Sequence, residues 1–196
     1  MRAAERNNYK RGWFRRRARH LNKRRFIFVD ESAVNTAMTR RYGRAPRGER
    51  AYDSAPRNYG AHTSVVGAMG LRGLVAALTV EGAVDTDCFN AYVEQVLGPR
   101  LRPGDVVVLD NLTAHRASRI EEVAAERGAQ VLWLAPYSPD FNPIEQCRSK
   151  IKAYLRGAKA RTREALEEAV RAALGLVTKA DIRGWFKHCG YSLARE

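Results

Sequence analysis

Residues 106–117 read VVVLDNLTAHRA. The apolar run Val106–Leu109 stops abruptly at Asp110, and a short run of that kind between polar residues has the pattern of a buried strand. A carboxylate at the end of such a strand has two readings. It caps the helix that follows, or it is a reactive acid held out on a rigid support. Partners elsewhere in the chain must decide between them. A second short apolar run, RFIFVD (Arg25–Asp30), also finishes on an acid.

The rest of the chain arranges itself around these two runs. Arg40–Tyr59 is rich in Gly, Pro and Arg, lacks any period, and is expected to form a long loop or irregular hairpin. HTSVVGAMG and GLVAALTV, on either side of a turn at LRG, predict a β-hairpin. Helical spacing of Phe89, Val93, Val96 and Leu97 predicts a helix over Asp85–Leu97, stopped by GPRLRPGD. After Val106–Asp110 come a helix near Ala117–Arg127, closed by Gly128, and a strand over Gln130–Leu134. Three more helices follow, over Asn142–Leu155, Thr162–Leu174 and Lys179–Cys189. The order is β-β-β-α-β-α-β-α-α-α. Three consecutive strands before any alternation resemble an α/β fold with a ribonuclease H-like mixed sheet flanked by helices, more than a doubly wound sheet.

Size and composition bound the function. A chain of 196 residues with 45% hydrophobic content suits one globular domain with some extra sequence. No apolar run approaches the ~18 residues of a membrane span, and the N-terminus is too basic for a signal peptide, so a cytoplasmic protein without a membrane partner is expected. Cys88, Cys147 and Cys189 are scattered, without CxxC spacing, and read as reduced, packed thiols. The net charge is +14. Residues 1–25 hold eleven basic residues against the single acid Glu5, which accounts for ten of those fourteen charges. The chain therefore divides into a basic N-terminal arm (1–24) and a nearly balanced body (25–196). Such an arm points to a polyanion, above all double-stranded DNA, with Arg15, Arg16, Arg17 and Arg24 as contacts. A merely solvated charge run is the alternative, and Trp13 and Phe14 within the arm count against it.

A third acid lies in APYSPDFNPIEQCRSKIK, residues 135–152. Pro136, Pro139 and Pro143 stiffen the approach to a helix in which Asn142 suits the N-cap, Pro143 the first position and Glu145 the third. Ile144, Cys147, Ile151, Tyr154 and Leu155 form its apolar stripe; Glu145, Arg148, Ser149, Lys152 and Arg156 share the other face. That face could offer one metal ligand and, through Arg148, Lys152 and Arg156, grip a phosphate backbone. Taken singly, each acid has an ordinary role: Glu145 in a capping box, Asp110 as a cap, Asp30 in a turn. The set changes the odds. Two strand-end aspartates and a stiffly held glutamate suit two magnesium ions about 4 Å apart, which activate water and stabilise a leaving oxygen in phosphodiester cleavage.

FVDES, VVVLDNLTAH and LAPYSPDFNPIEQ resemble the three catalytic blocks of DDE transposases of the Tc/mariner superfamily, in its bacterial insertion-sequence branch. The likeness runs from about Arg25 to the C-terminus, and its last block is the most specific. It implies a ribonuclease H-like catalytic domain in which Asp30, Asp110 and Glu145 hold two Mg²⁺ ions, with Mn²⁺ as a substitute. It also implies cut-and-paste chemistry: cleavage at element ends, then attack of the freed 3′-hydroxyl on target DNA, typically at TA, by a dimer on DNA. Asn111 and His115 match positions beside the second aspartate, with roles behind the metal ligands or at DNA, or, for His115, simple packing. Full-length relatives carry a helix-turn-helix region in front. Here only the arm precedes the catalytic blocks, as in a split insertion sequence whose DNA-recognising half is encoded separately, or in a truncated remnant. A haloacid-dehalogenase-type phosphatase is disfavoured, because Leu112 stands where its second acid belongs. The remaining rival is a catalytically silent transposase acting only as a DNA-binding protein.

Overall fold

The computed structural model describes residues 6–60, 62–110 and 114–191, without the side chains of 114–116. Five strands form one mixed sheet: β1 (Phe26–Asn35), β2 (His62–Gly70), β3 (Gly73–Glu81), β4 (Val106–Leu109) and β5 (Gln130–Trp133). Their order is β3-β2-β1-β4-β5. β1, β2 and β3 pair antiparallel, whereas β4 lies parallel to both β1 and β5. This is the ribonuclease H-like arrangement that the order of elements predicts.

The two central strands show why helices must cover both faces. Phe26–Val29 and Val106–Leu109 are buried at every position, although successive side chains point to opposite sides. Phe26, Phe28, Val106 and Val108 face one core, shared with α4 (Ile144–Ala158), α5 (Arg163–Gly175) and α6 (Lys179–His188). Ile27, Val29, Val107 and Leu109 face the other, shared with α2 (Thr86–Ala91), the turns after it and α3 (Ala114–Glu126). The stretch expected as one helix over Asp85–Leu97 changes character halfway. Tyr92–Leu97 winds as a π-helix, and Tyr92, Val93 and Leu97 are buried in it. Residues 36–60 carry neither helix nor strand, in keeping with the long loop expected there.

The basic arm departs most from expectation. Asn8–Arg19 is a helix, α1, whose Asn7 side chain accepts a hydrogen bond from the Lys10 amide (3.0 Å). Arg11, Phe14 and Ala18 are buried, and Phe14 stacks on Phe141 with ring centroids 5.4 Å apart. Arg11 grips Asp140 through two nitrogens, at 2.9 and 2.5 Å, and donates to Ser138 Oγ. Phe14 and Ala18 belong to the same core as α4–α6. α1 thus packs against the body that follows residue 24. Asp105, just before β4, is fully buried and receives both ends of the Arg72 guanidinium, at 3.2 and 2.8 Å. That pair ties the β2–β3 turn to β4.

Candidate active site

β1 does not end at Asp30 as expected; it continues to Asn35 against β2. What ends near Asp30 is the pairing with β4, whose last partners are Phe28 and Val108. Continued two residues past that last pair, the register leads to Asp30 in β1 and to Asp110 just beyond the end of β4. Period-two alternation sends both to the face of Phe28 and Val108. β4 ends at Leu109, one residue short of the expected strand end, and Asp110 directly follows it. Glu31, next to Asp30, is exposed.

α4 lies on that same face and supplies the third acid. A 3₁₀ turn, Pro139–Phe141, leads to Asn142 in an extended conformation, and Pro143 takes helical angles (φ −61°, ψ −22°). Proline thus opens the helix as expected, but Asn142 does not cap it. Its Oδ1 is buried and has no hydrogen-bond partner. Nor is Glu145 spent on a capping box: its Oε2 lies 3.2 Å from Arg148 Nη1. Asp30, Asp110, Asn142, Glu145 and Arg148 line one cleft of about 510 Å³. Beside them Tyr137 adopts φ 53°, a left-handed conformation uncommon for a residue with a side chain.

The carboxyls feel one another. Burial, then the charge of Asp30, raises Asp110 above the ordinary carboxylate range. Glu145 is raised by burial, with Arg148 opposing and Asp30 and Asp110 reinforcing. Arg148 is strained the other way: burial disfavours its charge, yet the three acids together hold it more firmly protonated than usual. Its Nη1 donates to Asp30 Oδ2 at 2.7 Å. Arg148, expected as a phosphate contact, has its guanidinium engaged by Asp30 and Glu145 in this conformation. Among the described residues, no three His, Cys, Asp or Glu side chains are disposed as a metal-holding set.

The other expected contacts are dispersed. Lys152 and Arg156 line a second groove, of about 550 Å³, with Arg40, Arg41 and Arg57 of the long loop. Arg15 lies 4.9 Å above the Phe141 ring, and Arg16, Arg17 and Arg24 are exposed. Asn111 and the His115 side chain fall outside the described residues. Two features of the cleft were not legible as site residues: Asn142, which looks like a cap, and Tyr137, whose only signal is its place between two prolines.

Residues 25–167 match the family model of the DDE superfamily endonucleases. The chain belongs to that family. Its fold is similar to Mos1 transposase in a paired-end complex with the left transposon end, with a TM-score of 0.76, 17% identity, and coverage of 97% of this chain and 62% of that one. The mariner Mos1 paired-end complex with Mg gives 0.67 and 16% over 93% and 58%. The Mos1 catalytic domain with Raltegravir and Mn gives 0.61 and 14% over 93% and 88%. At such identities the likeness is one of fold. This chain spans less than two thirds of the Mos1 chains in the paired-end complexes. Among functionally curated proteins, none matches it in sequence.

Proposed function

We propose that the chain is the catalytic part of a transposase of the Tc/mariner type, in the bacterial insertion-sequence branch, and that it cuts and joins DNA with divalent metal. One observation carries this reading: in a chain of the DDE endonuclease family, Asp30 of β1, Asp110 after β4 and Glu145 of α4 line the same cleft. The donor chemistry fits a hard cation. Three carboxylates line the cleft, joined by the unpartnered buried oxygen of Asn142.

Asp30, Asp110 and Glu145 would hold two Mg²⁺ ions, or Mn²⁺ in their place. Ions bound there supply an activated water and charge stabilisation at the leaving oxygen. The chain's own contribution is position. Asp30 is held in β1 by its pairing with β2, Asp110 directly follows the end of β4, and Glu145 is set by a proline-stiffened helix start. The groove of Arg40, Arg41, Arg57, Lys152 and Arg156 offers a basic bed for the DNA backbone next to the cleft. Exposed Arg16, Arg17 and Arg24 add a second bed. Double-stranded DNA is thus the proposed substrate, bound by a dimer in the cytoplasm.

Nicking of supercoiled plasmid in Mg²⁺ or Mn²⁺ tests the reading. Wild type is expected to nick, and Asp30→Asn, Asp110→Asn and Glu145→Gln are each expected to abolish it. Metal-independent cutting, or full activity in any of the three variants, refutes the assignment. The rival, a DNA-binding protein without catalysis, is favoured by one observation: Arg148 already neutralises two of the three acids. A wild type that binds DNA but never nicks it decides for that rival.

A further inference from the structure

The inference concerns Arg148 and rests on the metal site proposed above. A single nitrogen, Nη1, bridges two carboxylates: Asp30 Oδ2 at 2.7 Å and Glu145 Oε2 at 3.2 Å. These acids come from distant parts of the sequence, on β1 and α4. A divalent ion ligated by the same two oxygens at about 2.1 Å would need the volume that Nη1 fills. It would also set two more positive charges against the guanidinium at contact range. Ion and arginine cannot share the place.

The arginine's own bonding is incomplete. Its Nε is buried without a hydrogen-bond partner, an unmet donor that a settled structural ion pair does not leave. The side chain is 26% exposed, so a route outward exists along the face of α4 that also carries Lys152 and Arg156. We infer that Arg148 is an internal counter-cation: it holds Asp30 and Glu145 together in the metal-free chain and must leave both before a divalent ion binds. The expected metal ligands are thus occupied by the protein itself, and Arg148 sets the metal affinity without being a ligand.

Calorimetric titration of Mn²⁺ into the full chain, without DNA, tests this on wild type and Arg148→Gln. The variant is expected to bind at least about tenfold more tightly, since one competing unit charge at contact distance has been removed. Equal or weaker binding by a cooperatively melting variant overturns the inference and leaves the proposed metal site standing. Absence of binding in both proteins overturns the metal site together with the inference. Gln leaves two acids unpaired and can weaken the fold, so a second measurement uses the unaltered chain. Crystals soaked in Mn²⁺ locate the ion by anomalous scattering. An ion on Asp30 with Arg148 withdrawn from both acids supports the inference; an ion there with both Arg148 contacts intact overturns it.

Discussion

Asp110 carries its charge where the surroundings disfavour it. Protein crowded around its carboxyl and the neighbouring Asp30 both raise its affinity for a proton, although part of the residue reaches solvent. Asn is nearly isosteric and removes one of three like charges. Without metal, Asp110→Asn should therefore match wild type or gain up to about 1 kcal/mol, kept small by solvent screening of an exposed group. Mg²⁺ should raise the melting temperature of wild type more than that of the variant, because only binding to the native state shifts the equilibrium. Thermal melts with and without Mg²⁺ check both statements. A variant that melts several degrees below wild type in the absence of metal would make Asp110 a cap for α3 instead.

At the scale of elements, α1 has two roles that a single deletion would confuse. One side is packing: Phe14 on Phe141, and Arg11 on Asp140. The other is an exposed row of Arg15, Arg16, Arg17 and Arg19. Removing the whole helix strips both. Replacing Arg16, Arg17, Arg19 and Arg24 by Gln leaves the packing in place. It should flatten the slope of log K for duplex DNA against log salt by up to about 3.6, at about 0.9 per neutralised phosphate. An unchanged slope would show these arginines to be merely solvated. The packing side has its own signature in pH. The Arg11 hydrogen bond holds Asp140 below the ordinary carboxylate range. A depressed folded-state value gives stability that is complete above the unfolded pKa, near 3.9, and lost as pH falls through the folded one. Asp140→Asn should thus melt below wild type at pH 7, with the gap closing below about pH 4. A gap that persists in acid would mean that the pair does not anchor the helix.

Across the whole molecule, the legible and illegible parts separate by range. The β2–β3 hairpin, β4 and β5 announce themselves through local alternation or short apolar runs. Asp110 is legible because β4 ends directly before it. β1 reads as too short, since the apolar run stops at Val29. Its continuation is half-buried, with Ser32 and Val34 covered and Glu31 and Ala33 exposed, a period-two signal weaker than a hydrophobic block. α1 escapes because its buried side is made of Phe14, Ala18 and an arginine, and only the distant Asp140 makes that arginine buriable. The Arg148 bridge joins residues 118 positions apart, which no local pattern reports. The same strand order has a kinetic consequence. The β2–β3 hairpin closes over two residues, but Asp30 meets Asp110 only after β1 has paired with β4, and Glu145 arrives only with α4. Such distant pairings demand the largest loop closures and form slowly. A nascent chain holding only its first hairpin has no place where three carboxylates meet. The capacity to cut proposed for this protein would accordingly arise late, with the completed fold.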